Sequence, residues 1–218
     1  VRRALARTLQ DIAETNGESF YRGVLAQKIE EAAVSEGGAL RCTDLAAHHP
    51  EWVELISQTF KEVTVSEIPP NGQGIAALIA LGVLNEMEIA ELDSVESFHQ
   101  QIEAMKVGLF LVSKYVADPE YMRVGPSNLI DPDLLKKYAR SIKREASAIP
   151  PVDFISTGDT VYLCSADEEG MMVSFIQSNY FGFGSGIVIP ETGIALQNRG
   201  WGFNLEQGHP NEVGPGKK

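Results

Sequence analysis

Apolar positions along this chain fall first at helical spacing and then at strand spacing. Up to about Gly38, Leu5, Leu9 and Ile12 predict the inner face of one helix, and Tyr21, Leu25, Ile29 and Ala32 that of a second. Asn16-Gly17 separates the two and Gly37-Gly38 ends the pair. Thr43 reads as the cap of a short turn through Leu45 to Ala47, which Pro50 closes. Residues 57–68 alternate and are rich in Val, Thr and Ile, so a strand is expected there, ending at Pro69-Pro70-Asn71-Gly72. Ile75 to Leu84 is apolar on every side, the pattern of a core helix too short to span a bilayer. Asp93 or Ser94 then caps a long amphipathic helix whose expected inner stripe is Phe98, Ile102, Met105, Leu109, Val112 and Val116, and Asp118-Pro119 ends it. Asp131 caps a further helix with Pro132 at its first position and Leu134, Leu135, Tyr138 and Ile142 facing inward.

Residues 148–159, with Pro150-Pro151 and then Ser156-Thr157-Gly158-Asp159, form the clearest linker. Beyond it the pattern changes. Residues 160–167 and 171–180 are strand-like and apolar on both faces, as in a sheet covered on both sides. Glu168-Glu169-Gly170 between them reads as a three-residue hairpin loop with glycine at the left-handed position. Opposing Asp167 to Met171 fixes the register and sets Thr160 across from Ser178, close enough for the two hydroxyls to communicate. Gly182-Phe183-Gly184-Ser185-Gly186 is a turn, 187–189 and 194–196 are short strands about Pro190-Glu191-Thr192-Gly193, and the tail from Asn204 is loop-like. The chain therefore divides into a helical part, 1–159, and a β-rich part, 160–218.

With 218 residues and 44% apolar content the chain can bury a core, which excludes a disordered composition. A net charge of -12 argues against nucleic acid or an anionic membrane surface as partner and favours a small-molecule substrate. Cys42 and Cys164 make neither a disulfide framework nor a metal quartet. His48-His49 lacks a third ligand at useful spacing and reads as a pair of surface histidines, so no metal and no cofactor is expected. Gly72-Gln73-Gly74 lacks the Lys-Ser/Thr of a phosphate-binding loop and reads as a helix-start turn. No apolar run is long enough for a membrane span, and the chain starts at Val1 inside helix-like sequence and stops at Gly216-Lys217-Lys218 without a terminating element, as an internal fragment would.

The candidate chemistry sits at Thr160. A threonine hydroxyl needs a base, and an N-terminal threonine carries one in its own α-amine, whose pKa of about 7.7 to 8.0 suits that task. An internal threonine acquires that amine only if the Asp159–Thr160 bond is cut. Taken alone, Gly158-Asp159-Thr160 is far more often a turn feeding a strand than a nucleophile.

The longer pattern is more specific. Gly158-Asp159-Thr160-Val161-Tyr162-Leu163, Gly170, Val173-Ser174, Phe183-Gly184-Ser185-Gly186, Gly193-Ile194 and Phe203 resemble the start of the small subunit of the γ-glutamyltransferase family. Leu5-Ala6-Arg7-Thr8-Leu9, Phe20-Tyr21-Arg22-Gly23, Thr43-Asp44-Leu45-Ala46 and Pro69-Pro70-Asn71-Gly72-Gln73-Gly74 resemble the later half of its large subunit, in the same order. The resemblance implies an N-terminal-nucleophile hydrolase, made as one precursor and self-cut into subunits that pair as a heterodimer. It implies an α+β fold, here an incomplete four-layer αββα sandwich with a helical first part and an antiparallel β second part. It makes Thr160 the nucleophile, Asp159/Thr160 the cleavage site and Ser178 the supporting hydroxyl, the residue that the hairpin register also sets opposite Thr160.

At the positions where typical transpeptidases hold the substrate's α-amino group with an asparagine, a glutamine and an aspartate, this chain has Tyr180, Arg199 and Gly202. An acidic partner is gone and a cation is present, which suits a carboxylate if Arg199 faces the pocket; the other reading of Arg199 is a surface arginine in a loop. Gln197-Asn198-Arg199-Gly200 with Gly208-His209-Pro210-Asn211 resembles the γ-glutamyltransferase-like branch, which includes acylases. The expected activity is attack of Thr160 on a γ-glutamyl, glutathione-type amide with transfer to water or an amine. The rival expectations are an acylase of other dicarboxylic-acyl amides, glutaryl amides among them, and a non-catalytic homologue. By the same resemblance a carboxylate-binding arginine lies upstream of Val1 and the Gly-Gly oxyanion hole lies downstream of Lys218, so the fragment alone is expected to be nearly inactive. His209 reads as a loop residue and Cys164 as a small buried apolar one.

Overall fold

A computed structural model describes residues 2–148 and 160–217. In chain order its helices are α1 (Arg3–Glu14), α2 (Glu18–Arg22), α3 (Val24–Ser35), α4 (Cys42–Ala47), α5 (Ile75–Asn85), α6 (Val95–Tyr115), α7 (Pro126–Leu129) and α8 (Pro132–Ser141). Its strands are β1 (Ile56–Phe60), β2 (Val63–Glu67), β3 (Val161–Ala166) and β4 (Met172–Gln177), forming the antiparallel pairs β1–β2 and β3–β4. The fold is mixed α+β, with one small antiparallel hairpin between α4 and α5 and a second after α8. Two compact units arise, one from Val1–Glu51 with Phe154–Gly202 and the other from Trp52–Asp153 with Phe203–Lys218. Each unit thus draws on sequence from both sides of the linker.

In the first unit the core is Ile29, Ala32 and Ile189, with Phe20, Leu40, Leu45, Ile194 and Leu196 packed against it. Sequence after the linker is therefore built into the same apolar cluster as α3. The helical stretch up to Gly38 is three helices rather than two. The extra break is Gly23, where a Cβ would meet the Cα of Ser19 at 2.9 Å, so only glycine lets α3 leave α2 that closely. On α1 the expected inner residue Leu9 is 58% exposed, while Thr8 is buried and donates its hydroxyl to the carbonyl of Thr192 at 2.9 Å. A satisfied hydroxyl competes well for an interior position, and periodicity alone does not register it. Helix α4 begins one residue before the expected cap: Asp44 Oδ2 accepts the amide of Arg41 at 2.8 Å, so the capping carboxylate lies inside the first turn and Thr43 does not cap.

The second unit is organised around α5, whose residues Ile75, Ala76, Leu78, Ile79, Ala80, Gly82, Val83 and Leu84 are all buried. Helix α6, the β1–β2 hairpin and α8 surround it. Ser94 caps α6 by accepting the amide of Ser97 at 3.1 Å, and Asp131 caps α8 by accepting from Asp133 and Leu134. The single strand expected over 57–68 is a hairpin, with Ile56 opposite Glu67 and Phe60 opposite Val63. Its turn, Lys61-Glu62, places Lys61 at φ 53° without the asparagine or glycine that announces such turns, so the sequence pattern runs through it unmarked. The α6 stripe also differs from expectation. Phe98, Ile102, Met105 and Leu109 are exposed, whereas Val112 and Val116 are buried as expected; the buried face of the helix is Ser97, Glu103, Ala104, Gly108, Leu111 and Val112.

Beyond the linker, β3 and β4 are exposed at every position, on both faces. The covered sheet expected from their apolar pattern is not present among the described residues, and Cys164, expected to be buried, is exposed with the rest of β3. The short strands expected at 187–189 and 194–196 reduce to one antiparallel bridge, Val188 to Ala195. It is flanked by the backbone bonds Ile189 N to Ile194 O and Leu196 N to Ile187 O. Among the described residues no helix is long and apolar enough to cross a membrane.

Candidate active site

The β3–β4 loop is locked by its own first residue. Asp167 Oδ1 accepts the amides of Glu169 at 3.0 Å and Met171 at 2.9 Å, and Gly170 takes φ +87°, where a side chain would be strained. The backbone bond from Asp167 N to Met171 O at 3.1 Å closes the ladder, and Val161 pairs with Gln177 at its other end. One step further the register sets Thr160 against Ser178. Their hydroxyl oxygens are 2.9 Å apart. A three-residue loop and an uninterrupted ladder thus fix the distance between two groups eighteen positions apart.

Ser178 is itself held from three sides. Its Oγ accepts the amide of Tyr180 at 3.0 Å, and its carbonyl accepts from Arg199 Nη2 at 3.0 Å. A serine hydroxyl has one proton and two lone pairs. With one lone pair taken by Tyr180, it can give its proton to Thr160 Oγ1 or accept the proton of Thr160. Giving it stabilises negative charge on Thr160 Oγ1. The arrangement therefore supports an alkoxide as it forms, the requirement for nucleophilic attack by an alcohol.

Tyr180 adopts φ 82°, a rare state for a bulky residue, and its neighbours hold it there. Its ring meets Phe181 edge-on at 4.3 Å, and the Arg199 guanidinium lies 5.7 Å from its centroid. Phe181 is fixed by Asn198, whose Oδ1 accepts the Phe181 amide at 3.0 Å and whose Nδ2 reaches the Phe181 carbonyl at 3.4 Å. Gln197 Oε1 accepts the amide of Arg199. Tyr180 and Arg199 are thus brought together beside Ser178. Gly202 ends the 3-10 turn Arg199–Gly202 that carries the arginine, and a Cβ there would meet nothing within 4 Å. Asp159, expected on the other side of the cleavage bond, lies outside the described residues.

Asn198 is the residue whose part the sequence did not disclose. Its place next to Arg199 is plain, but a side chain that grips both polar groups of one distant peptide has no spacing signature. His209 is hydrogen-bonded at both ring nitrogens: its Nδ1 accepts the amide of Asn211 at 3.0 Å, so Nε2 carries the proton toward the Ser113 carbonyl 3.1 Å away. Cys42 donates to Glu30, amide and thiol alike. The Glu30 carboxylate is held below the usual range by the thiol and amide of Cys42, and that same hydrogen bond pushes the Cys42 thiol up, away from the reactive thiolate. His48 stacks on Tyr21, and His49 Nδ1 lies 3.1 Å from Arg22 Nη2. No group of three or more His, Cys, Asp or Glu suited to a metal ion occurs among the described residues.

Comparison with known proteins bears on the whole chain. It is 36% identical over 215 residues to the oxamate amidohydrolase proenzyme of Klebsiella pneumoniae, covering 99% of this chain and 40% of that protein. It is 35% identical over 222 residues to the glutathione hydrolase-like YwrD proenzyme of Bacillus subtilis, covering 100% of this chain and 42% of that protein. Among solved structures, the cephalosporin acylase of Bacillus halodurans matches 98% of this chain with 46% identity and a TM-score of 0.84, over 39% of its own length. The chain thus spans about two fifths of the length of these relatives. Residues 1–218 match the family described as Gamma-glutamyltranspeptidase, and over that full length the chain belongs to the gamma-glutamyltranspeptidase family.

Proposed function

We propose that this chain is the nucleophile-bearing portion of an N-terminal-nucleophile amidohydrolase in which Thr160 is freed by self-cleavage. The observation that carries the reading is the 2.9 Å approach of Thr160 Oγ1 to Ser178 Oγ at the first rung beyond β3, directly after the linker. Relatives described as proenzymes support the cleavage. Residues 1–159 would then be the later half of a large subunit and 160–218 the start of a small one, paired as a heterodimer in the whole protein. The rest of that protein would complete the αββα sandwich.

In the cleavage step Thr160 Oγ1 attacks the carbonyl carbon of Asp159, the C–N bond breaks, and water hydrolyses the resulting ester to leave a free α-amine on Thr160. In turnover that amine takes the Thr160 hydroxyl proton as the oxygen attacks the substrate amide. The amine product leaves with that proton, and water or a second amine releases the acyl group. Ser178 donates to Thr160 Oγ1 whenever it carries negative charge.

For the acyl group we favour an amide bearing a second carboxylate. Arg199 stands beside Ser178 with its guanidinium exposed, and no Asp or Glu hydrogen-bonds or ion-pairs with it among the described residues. A guanidinium recognises a carboxylate by two parallel hydrogen bonds and repels an ammonium. The relatives named for oxamate, itself a small amide carrying a carboxylate, and for cephalosporin acylation agree with this choice. Glutathione-type γ-glutamyl amides are the second reading, supported by the glutathione hydrolases among the relatives. The full-length protein should be assayed on oxamate, a glutaryl amide and glutathione. Turnover of the first two with none of glutathione is the expected result, and turnover of glutathione alone sinks the carboxylate reading. A single uncut band on denaturing electrophoresis after long incubation, instead of two bands with a new Thr160 terminus, would favour a non-catalytic homologue.

A further inference from the structure

Three side chains on one stripe of α6 reach the same short segment. His99, Glu103 and Lys106 sit at spacings of four and three, one face of a helix. His99 Nε2 lies 2.7 Å from the carbonyl oxygen of Lys143. Glu103 Oε1 accepts the amide of Ser147 at 3.1 Å, and Lys106 Nζ donates to the Ser147 carbonyl at 2.9 Å. Glu103 and Lys106 are also bonded to each other at 2.6 Å, with their side chains only 4% and 16% exposed. All three contacts to the segment are to its backbone.

A buried carboxylate needs its lone pairs filled, and a surface pair at this spacing has little reason to be buried. Here the Ser147 peptide completes the pair: its N–H goes to the carboxylate and its C=O takes a proton of the ammonium. Pair and peptide therefore hold one another, and neither is well satisfied alone. The segment so fixed follows α8 and leads directly into residues 148–159, the linker that ends at Thr160. Its sequence continues Ile149-Pro150-Pro151.

We infer that His99, Glu103 and Lys106 form a backbone clamp that fixes the upstream end of the processing linker, so that self-cleavage before Thr160 depends on positioning residues on α6. The inference rests on the self-cleavage proposed above. Since the clamp grips main chain, it is indifferent to the side chain at 147 and sensitive to the amide proton there.

The test uses the full-length protein and follows the uncut fraction with time on denaturing electrophoresis, together with thermal unfolding. E103L removes the acceptor and S147P removes the donor from the other side, without touching α6. Each is expected to slow cleavage roughly tenfold, the factor that one charge-assisted hydrogen bond carries. E103Q keeps an acceptor and should recover part of the rate, and S147A should cleave within about twofold of wild type. Wild-type cleavage rates in both E103L and S147P overturn the inference, as does slowing by S147A equal to that by S147P. A second measurement does not need cleavage: in a T160A background, hydrogen exchange at the Ser147 amide should be slow and should become fast with E103L. Fast exchange in the T160A protein itself overturns the clamp. If the wild-type protein is never cut while that amide is protected, it is the self-cleavage reading that falls, and the clamp's role in processing falls with it.

Discussion

At the level of single residues the site is a set of hydrogen bonds that converge on one serine. Ser178 Oγ takes the Tyr180 amide and faces Thr160, while its carbonyl takes Arg199. Replacing Ser178 by alanine removes the hydroxyl partner of Thr160 while keeping Thr160, the proposed nucleophile. Turnover of a carboxylate-bearing amide by the mature full-length protein should fall about 10- to 100-fold, the value of one hydrogen bond to a charged group. T160A should abolish both cleavage and turnover, and T160S should keep both. Equal activity of S178A and wild type would remove Ser178 from the mechanism. Arg199 is predicted to act on binding. R199M should raise KM for an anionic acyl amide about tenfold with kcat little changed, and R199K should recover only part, since lysine lacks the planar fork. A fall in kcat with KM unchanged would place Arg199 elsewhere in the cycle. The hairpin partner of Thr160 was legible because a three-residue loop leaves one register open. The grip of Asn198 on Phe181 was not, because it joins positions that no periodicity relates.

At the level of elements, the lesson lies in α6. Its large apolar side chains mark one stripe, borne out only at Val112 and Val116, while from Phe98 to Leu109 the helix packs by another, through Ala104 and Gly108. A Cβ on Gly108 would meet the carbonyl oxygen of Ala76 at 2.5 Å, so the two helix backbones touch there. Close approach of small residues lets α5 bury most of its apolar surface, and that gain outweighs covering Phe98 or Ile102. A pattern read from side-chain size points to the wrong face whenever small residues make the contact. The β1–β2 hairpin was missed for a related reason, its turn being made by lysine and glutamate. The termini of α6 and α8 were legible, because Ser94 and Asp131 are caps of ordinary chemistry.

The same contact gives a test with a sign. Glycine to alanine in a helix interior ordinarily stabilises by about 1 kcal/mol. At Gly108 the new methyl group meets fixed backbone, and overpacking costs about 1–3 kcal/mol, so G108A should be destabilised on balance by up to about 2 kcal/mol in denaturant unfolding. At Gly82 the nearest atom is Leu135 Cδ1 at 2.4 Å, a side chain that can turn away, so G82A should stay within about 1 kcal/mol of wild type. G82A losing more than G108A would refute the close α5–α6 approach. Glu103 adds a pH dependence. Burial raises its pKa, but hydrogen bonds from Lys106 and Ser147 outweigh this and hold it below the ordinary 4.5. A depressed folded pKa contributes stability that is present above the unfolded value and lost as pH falls through the folded one. Wild-type stability should therefore drop on acidification below about 4.5 more steeply than that of E103Q, and parallel profiles would show that Glu103 carries no such linkage.

At the scale of the whole molecule, apolar surface is unevenly covered. The second unit closes a full core around α5, whereas β3 and β4 carry Tyr162, Leu163, Phe175 and Ile176 with at least 49% of each exposed. Strands apolar on both faces belong to sheets covered on both faces. The reading of 160–180 as buried sheet and the exposed hairpin are reconciled if further chain covers it, and the relatives are about two and a half times as long as this chain. The outward stripe of α6, with Phe98 52% and Ile102 55% exposed, makes the same demand in the other unit. A net charge of -12 opposes self-association of the exposed faces but does not cover them. The consequence is measurable. The isolated 218-residue chain should bind an environment-sensitive apolar dye strongly, while the full-length protein at equal molarity should bind several-fold less, in line with the rarity of large apolar patches on finished surfaces. Amides of residues 161–166 and 172–177 should exchange quickly in the isolated chain and slowly in the full-length one. Equal dye binding and equal exchange would mean that the hairpin stays open in the whole protein, and a nucleophile on an open two-stranded hairpin would lack the water-excluded setting that its chemistry needs.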